Sequence, residues 1–336
     1  MRVLGVPFNS SGLPDGVARA PRALREAGLV SRLRAGRPDG GVHDAGDVDV
    51  GVLSPERHAL SGLRALRGLE TTTGSVRRGV ADALDAGERP LVVGGDCPVL
   101  LGCLSGARDV AGETGLLFVD GHEDAWAPDL STTGEAADCE LGLLLGLNRG
   151  KLPRSLVRLL PEVDPSAVVA LGPRDAGELA AHRIPSLAGH ILMRTPDELH
   201  SSPDAPGTYA REATDRILSR VDSWWLHIDL DVLSTEALPA VDYPQPGGLT
   251  WPELELLAST ALRAPGCVGI TLCIYNPDLD PGLHHAGRIV RHLSRMCGSD
   301  GQRRGQDACG ARRKRGTAQG GRQAGRDPPR FTRRAA

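Results

Sequence analysis

Aromatic side chains are scarce in this chain of 336 residues: three phenylalanines, three tyrosines and four tryptophans, 3% in all. Equally missing is any uninterrupted apolar run approaching the roughly 18 residues that a membrane span needs. Nothing near the amino terminus resembles a secretory signal. These absences exclude a membrane-embedded protein and point to a soluble, cytoplasmic one. Cysteine is present but unpatterned. The seven residues Cys97, Cys103, Cys139, Cys267, Cys273, Cys297 and Cys309 are odd in number and form no CxxC, which argues against a disulfide framework. Most sit in apolar runs such as VGITLCIYNP, as reduced core thiols do. With 40% hydrophobic and 24% charged residues, the chain can bury one large α/β core or two modest ones.

The charge is unevenly spread. Residues 297–336 hold 11 Lys and Arg against 3 Asp and Glu, while the preceding residues hold 28 against 39. This tail is dense in Gly, Arg and Gln and has almost no apolar periodicity, so it cannot bury enough surface to fold. A basic segment with neither interleaved aromatics nor a folded platform is expected to be a solvated appendage. No nucleic-acid and no membrane partner is expected. The domain boundary is placed near Met296, giving a folded domain of residues 1–296 and a basic tail of 297–336.

Upstream of the tail, short β-rich runs alternate with helical patterns. RVLGVP, PLVVGGD, GLLFVD, AVVALG, HILM, WWLHIDLD and CVGITLCIYNP read as strands. Most are continuous apolar runs, the pattern of strands covered on both faces, which predicts a mostly parallel sheet. Between them, Val76, Val80 and Leu84 recur at helical spacing with Gly87 as a stop. A second helix opens with Thr250 and Glu253 as a capping box and Leu249 against Leu254 as a staple. The fold class predicted is α/β, a three-layer αβα architecture with a doubly wound sheet.

In such folds ligands bind outside the carboxyl ends of the strands, and the charge is concentrated there. PLVVGGDC stops at Asp96 and Cys97. Residues 118 to 124 read FVDGHED, an apolar strand breaking into Asp120, His122 and Asp124, and WWLHIDLD runs through His227, Asp229 and Asp231. A spacing of two in extended backbone sends side chains to one side. Asp120, His122 and Asp124 have this spacing, as do Asp229 and Asp231, so two strand ends can aim four carboxylates and the His122 imidazole at one point. So many anions would repel and take up protons unless a cation compensates them, so the pattern predicts a metal site. A lone DxD is more often a cap or a surface charge; two such clusters, each ending an apolar strand, are not.

These segments resemble those of the arginase, agmatinase and formimidoylglutamase family of ureohydrolases. VVGGDC is similar to the family's GGDH segment, VDGHED to DAHxD, and HIDLDVLSTEALPAVDYPQPGGLT to SxDxD with the PxPGGLT that follows. The opening GVPFNSSGLPDGVARAPRALREAGL and the closing YNPDLDP match as well, so the resemblance covers roughly residues 1 to 295. It implies the arginase fold, homo-oligomers such as trimers or hexamers, and two manganese ions per subunit that activate a hydroxide to attack a guanidinium carbon. Asp120 and Asp229 match the bridging ligands, and His122 and Asp231 complete the second metal's set. Asp231 would also accept a hydrogen bond from the hydroxide. Asp124 matches the first metal's set, whose remaining ligand, a histidine, is Cys97 in this chain. A thiolate at that position would favour zinc, iron or cobalt; a small core residue at a strand end is the equal alternative.

Further departures concern the substrate. Ala137 stands where arginases have a proton-shuttling histidine, and Glu135, Asp138 and Glu140 lie near enough in sequence to replace it. Ile274 stands where the family has the glutamate that pairs with the guanidinium, a loss of bidentate recognition that predicts poor use of arginine. Ser131 and Thr133 match polar positions of the substrate loop, and Trp126 is bulky where a small polar residue is usual. The resemblance thus predicts a metal-dependent hydrolase acting on a C–N bond of a guanidino or amidino substrate. The alternatives are a single-metal amide hydrolase of deacetylase type using Asp120, His122 and Asp229, or an inactive member with a regulatory or assembly role.

Overall fold

The computed structural model describes residues 1–37 and 41–298; the basic tail assigned from the sequence lies, from residue 299 on, outside the described residues. Among the described residues eight strands form one sheet: β1 (Arg2–Val6), β2 (His43–Asp47), β3 (Pro90–Gly94), β4 (Thr114–Val119), β5 (Val168–Leu171), β6 (Leu192–Arg194), β7 (Ser223–Asp229) and β8 (Cys267–Cys273). Their order is β2-β1-β3-β8-β7-β4-β5-β6, and every neighbouring pair is parallel. The sheet is thus wholly rather than mostly parallel. Helices flank it to complete the αβα layers, with Leu66–Asp85 packed on Val99–Ala111, and Trp251–Ala261 between Ala205–Leu218 and His284–Gly298. Among the described residues no helix is long and apolar enough to cross a membrane.

The apolar runs explain this arrangement. Strands β3, β4, β5 and β7 are buried at every position, as strands sandwiched between helix layers must be. Strand β2 is different. Its sequence, HDAGD, has no apolar signal, and it alternates between exposed and half-buried at the sheet edge beside β1. It is held from outside the core, by Arg25 paired with Asp44 and Asp47, which is why no hydrophobic pattern announces it.

Two glycines permit close approaches, one just beyond β3 and one near the start of β8. A Cβ at Gly95 would lie 2.1 Å from the Phe8 carbonyl oxygen, and one at Gly269 would lie 2.1 Å from the Trp225 ring. The capping box at the start of Trp251–Ala261 forms as the sequence predicts, with Glu253 Oε2 accepting from the Thr250 amide at 2.8 Å and from its hydroxyl at 2.7 Å. Thr250→Ala is expected to lower stability by about 1 kcal/mol in urea unfolding; an unchanged midpoint would show that the cap contributes nothing.

Candidate metal centre and active site

Strand register builds the site. On β4 and β7, Phe118 faces His227 and Val119 faces Ile228, so Asp120 and Asp229 come level one residue later. On β7 and β8, Asp229 faces Cys273, and on β3 and β8, Val93 faces Leu272, which places Gly94 in the same row with Asp96 and Cys97 just beyond it. Strands β3 and β4 are consecutive in sequence but separated by β8 and β7 in the sheet. The crevice produced by such a break in strand order is where an open α/β sheet binds its ligand.

The carboxylates there are buried and ordered by backbone amides. Asp120 Oδ1 accepts from the His122 amide at 2.8 Å, Asp229 Oδ1 from the Asp231 amide at 2.7 Å, and Asp231 Oδ1 from the Gly121 amide at 3.0 Å. The Cys97 thiol donates to Asp229 Oδ2. His122 Nδ1 sits 2.9 Å from Asp231 Oδ2. By contrast, Asp120 Oδ2 and both ring nitrogens of His227 are buried and have no hydrogen-bond partner among the described residues, while the Glu140 carboxyl is buried against that of Asp124. Three overlapping groups bring ligand atoms within 4.8 Å of one another: Cys97, Asp120, His227 and Asp229; Asp120, His122 and Asp231; and Asp120, Asp124 and Glu140. Clustered buried carboxylates with an unpartnered oxygen on Asp120 and an unpartnered imidazole on His227 are what a divalent cation satisfies, so the residues present fit a metal centre.

The electrostatics agree. Burial, and then the surrounding carboxylates, hold Asp120, Asp124 and Asp229 well above the usual carboxylate range, and burial with Asp120 does the same to Glu140. Burial opposes charge on His122, but the Asp231 carboxylate outweighs it and pushes the imidazole up to about 9. Asp231, despite its burial, is held low by that imidazole. Burial lifts the Cys97 thiol and lowers His227 to about 3.

Above the centre opens a cavity of about 250 Å³. Its walls are acidic: Glu135, Asp138, Asp175, Glu178 and Asp242 all line it. Burial, aided by Asp96, Asp138 and Asp242, raises Glu135 to about 8, and burial raises Asp96 to about 6. A carboxyl whose folded value is raised keeps a proton that the unfolded chain releases, so its contribution to stability is lost as pH rises. Between the unfolded value of 4.5 for Glu135 and about 8, the metal-free protein should therefore weaken. Calorimetry in chelator is expected to show a melting temperature at least about 2 °C lower at pH 8 than at pH 5; a rise over that interval would contradict these environments.

All six sequence-derived metal ligands, Cys97, Asp120, His122, Asp124, Asp229 and Asp231, line the cavity, as do Trp126, Thr133 and Glu135. Two others sit elsewhere. Ser131 is buried beneath the loop, where its hydroxyl donates to Asp138. Glu140 is fully buried and clustered with Asp124 and Asp120, away from the cavity that a leaving group would occupy. His284 and His285 open the last helix and do not line the cavity. Ala137 and Ile274 do line it. Ile274 adopts a left-handed φ of 71°, a strained conformation for a β-branched residue and a common mark of functional positions. Sequence reasoning missed Asp242, Tyr243, Asp175 and His227. Of these only His227 carried a signal, its spacing of two from Asp229.

The Arginase family model matches residues 1–296. An arginase of Bacillus caldovelox is 28% identical over 282 residues, covering 83% of this chain and 91% of that protein. The native structure of arginase from Bacillus caldovelox superposes with a TM-score of 0.76 at 26% identity, over 90% of this chain and 97% of that one. Formimidoylglutamase from Bacillus subtilis subsp. subtilis str. 168 is alike in fold, with a TM-score of 0.66 at 17% identity over 90% of this chain and 87% of that one. With the strand-end carboxylates, the parallel sheet and a match over nearly the whole described chain in agreement, the protein belongs to the arginase family, whose members hydrolyse C–N bonds other than peptide bonds.

Proposed function

We propose that this chain is a metal-dependent hydrolase that cleaves a C–N bond of a guanidino or amidino compound and is a poor arginase. One observation carries the reading: buried carboxylates at the ends of β4 and β7, among them Asp120 with its Oδ2 unpartnered, converge on the floor of an acidic cavity. Asp120, Asp229, His122, Asp231, Cys97 and Asp124 are the residues that would hold the divalent ions. Manganese is the family's choice, and zinc or another softer ion suits the side of Cys97. When bound, the metal would supply acidity to a water and polarise the substrate carbon.

The chain's own groups do the rest. The acidic walls attract a cationic substrate and disfavour an anionic one. Asp231, fixed by the Gly121 amide at 3.0 Å, would accept a hydrogen bond at its carboxylate. Glu135 faces the cavity, and its burial favours the protonated carboxyl, which would place a donor for a leaving amine where Ala137 has none. Trp126, almost fully buried and tilted against His182 at 5.0 Å, walls off one side and restricts what enters. Thr133 is held by Asp138 at 2.7 Å and offers a polar contact at the rim. A catalytic domain of residues 1–296, a homo-oligomeric trimer or hexamer and a cytoplasmic location belong to the same reading.

The test is a screen of metal-loaded protein against guanidino acids, guanidino amines, formimino compounds and acetylated amines, following urea, ammonia or acetate. Turnover confined to guanidino and amidino compounds is expected. Acetate release alone would establish the deacetylase alternative, and no turnover at full metal occupancy would favour a non-catalytic role.

A further inference from the structure

We propose that His227 is a metal ligand, forming with Cys97, Asp120 and Asp229 a buried four-donor site that selects zinc-like cations over manganese; the proposal rests on reading the strand ends as a metal centre. His227 lies two residues before Asp229 on β7, hence on the same side of the strand. It is 0% exposed, and neither ring nitrogen has a hydrogen-bond partner among the described residues. Phe118 stacks on it at 5.0 Å with an interplanar angle of 13°, which sets the plane of the imidazole. His227 Nε2 lies 3.8 Å from Asp120 Oδ2, itself buried and without a donor.

The remaining two donors meet at the same place, because Asp229 Oδ2 faces Cys97 Sγ. All four ligand atoms lie within 4.8 Å of one another. An imidazole buried with both nitrogens unsatisfied is costly. Aligning an unpaired nitrogen, an unpaired carboxylate oxygen and a thiol on one spot makes sense if a cation occupies it. A set of one nitrogen, one sulfur and two carboxylate oxygens suits tetrahedral zinc, cobalt or ferrous iron, whereas manganese prefers an oxygen-rich, octahedral shell. On coordination the Cys97 S–H bond breaks and its proton leaves to solvent, so uptake of the ion is accompanied by proton release.

Titration of the chelator-stripped full chain with cobalt(II) and zinc(II) tests this. The wild type should show a sulfur-to-cobalt charge-transfer band together with the intense visible bands of a four-coordinate ion. His227→Phe keeps the stacked ring but removes the nitrogens; it should weaken zinc binding by about a hundredfold or more and dim the visible bands while the sulfur band persists. Cys97→Ser should lose the sulfur band. Unchanged zinc affinity and an unchanged cobalt spectrum in His227→Phe would overturn the proposal. Should that variant fail to fold, X-ray absorption of wild-type protein with one equivalent of zinc decides: sulfur and imidazole in one shell support the site, and either donor without the other overturns it. Failure of the proposal alone leaves metal bound at His122 and Asp231, whereas a wild type that binds no manganese, cobalt or zinc defeats the metal-centre reading as well.

Discussion

Replacing Asp229 by asparagine is expected to strip the protein of both metal ions and to lower hydrolysis by at least a thousandfold, ~4 kcal/mol of barrier. Asp229 is the shared element of the centre: one oxygen is fixed by the Asp231 amide and the other faces Cys97. An amide preserves the shape but removes the charge that draws a cation to both positions. Stability should report the same loss. A cation held at a hundred times its Kd stabilises the wild type by about 2.7 kcal/mol, and the variant should gain nothing from it. Without metal the order should level or reverse, because Asp229 is raised by burial and by Asp231 and Asp120, and the neutral amide relieves that crowding. Melting curves with and without manganese, paired with elemental analysis, measure both effects. Full metal content in Asp229→Asn would mean that the ions, if bound, sit elsewhere.

Arginine should be hydrolysed at least about a hundredfold more slowly than by a typical arginase, ~3 kcal/mol of lost transition-state stabilisation. Ile274 presents only apolar surface to the cavity, and Ala137 offers no proton shuttle. The acidic side chains that remain, Glu135 and Asp242 among them, belong to other segments and would meet a cation along a different line. A cation is still attracted, but the fork of an arginine guanidinium is not matched. Ile274→Glu together with Ala137→His should recover part of the rate. The left-handed backbone at Ile274 is unfavourable for glutamate too, so the double variant should not gain stability from the exchange. Urea release from arginine at an ordinary arginase rate by the wild type would show that other residues have taken over both roles.

What the sequence disclosed followed from burial. Apolar runs ending in Asp120 and Asp229 marked both the strands and the place where charge collects, because two buried strands that each end in an acidic cluster are not explained by caps or surface charge alone. Asp124, His122 and Asp231 followed from the same spacing. Strand β2 was illegible because an edge strand held by Arg25 needs no apolar face. Glu140 was legible only as a nearby acid; its helix turns it toward Asp124 and Asp120 rather than into the cavity, and no local pattern encodes that choice. His227 stood in view within HIDLD, yet a single buried histidine reads as core until both of its nitrogens are seen to lack partners. Asp242 and Tyr243 reach the cavity from a long connection after β7, whose path depends on tertiary contacts such as Asn276 donating to Asp242 at 2.6 Å.

The most direct test of the metal centre is anomalous diffraction from crystals loaded with manganese or zinc, recorded at the absorption edge of the ion. Two peaks between Asp120 and Asp229, one toward His122 and Asp231 and the other toward Cys97, are expected; no peak at this carboxylate pair under saturating metal would contradict the account.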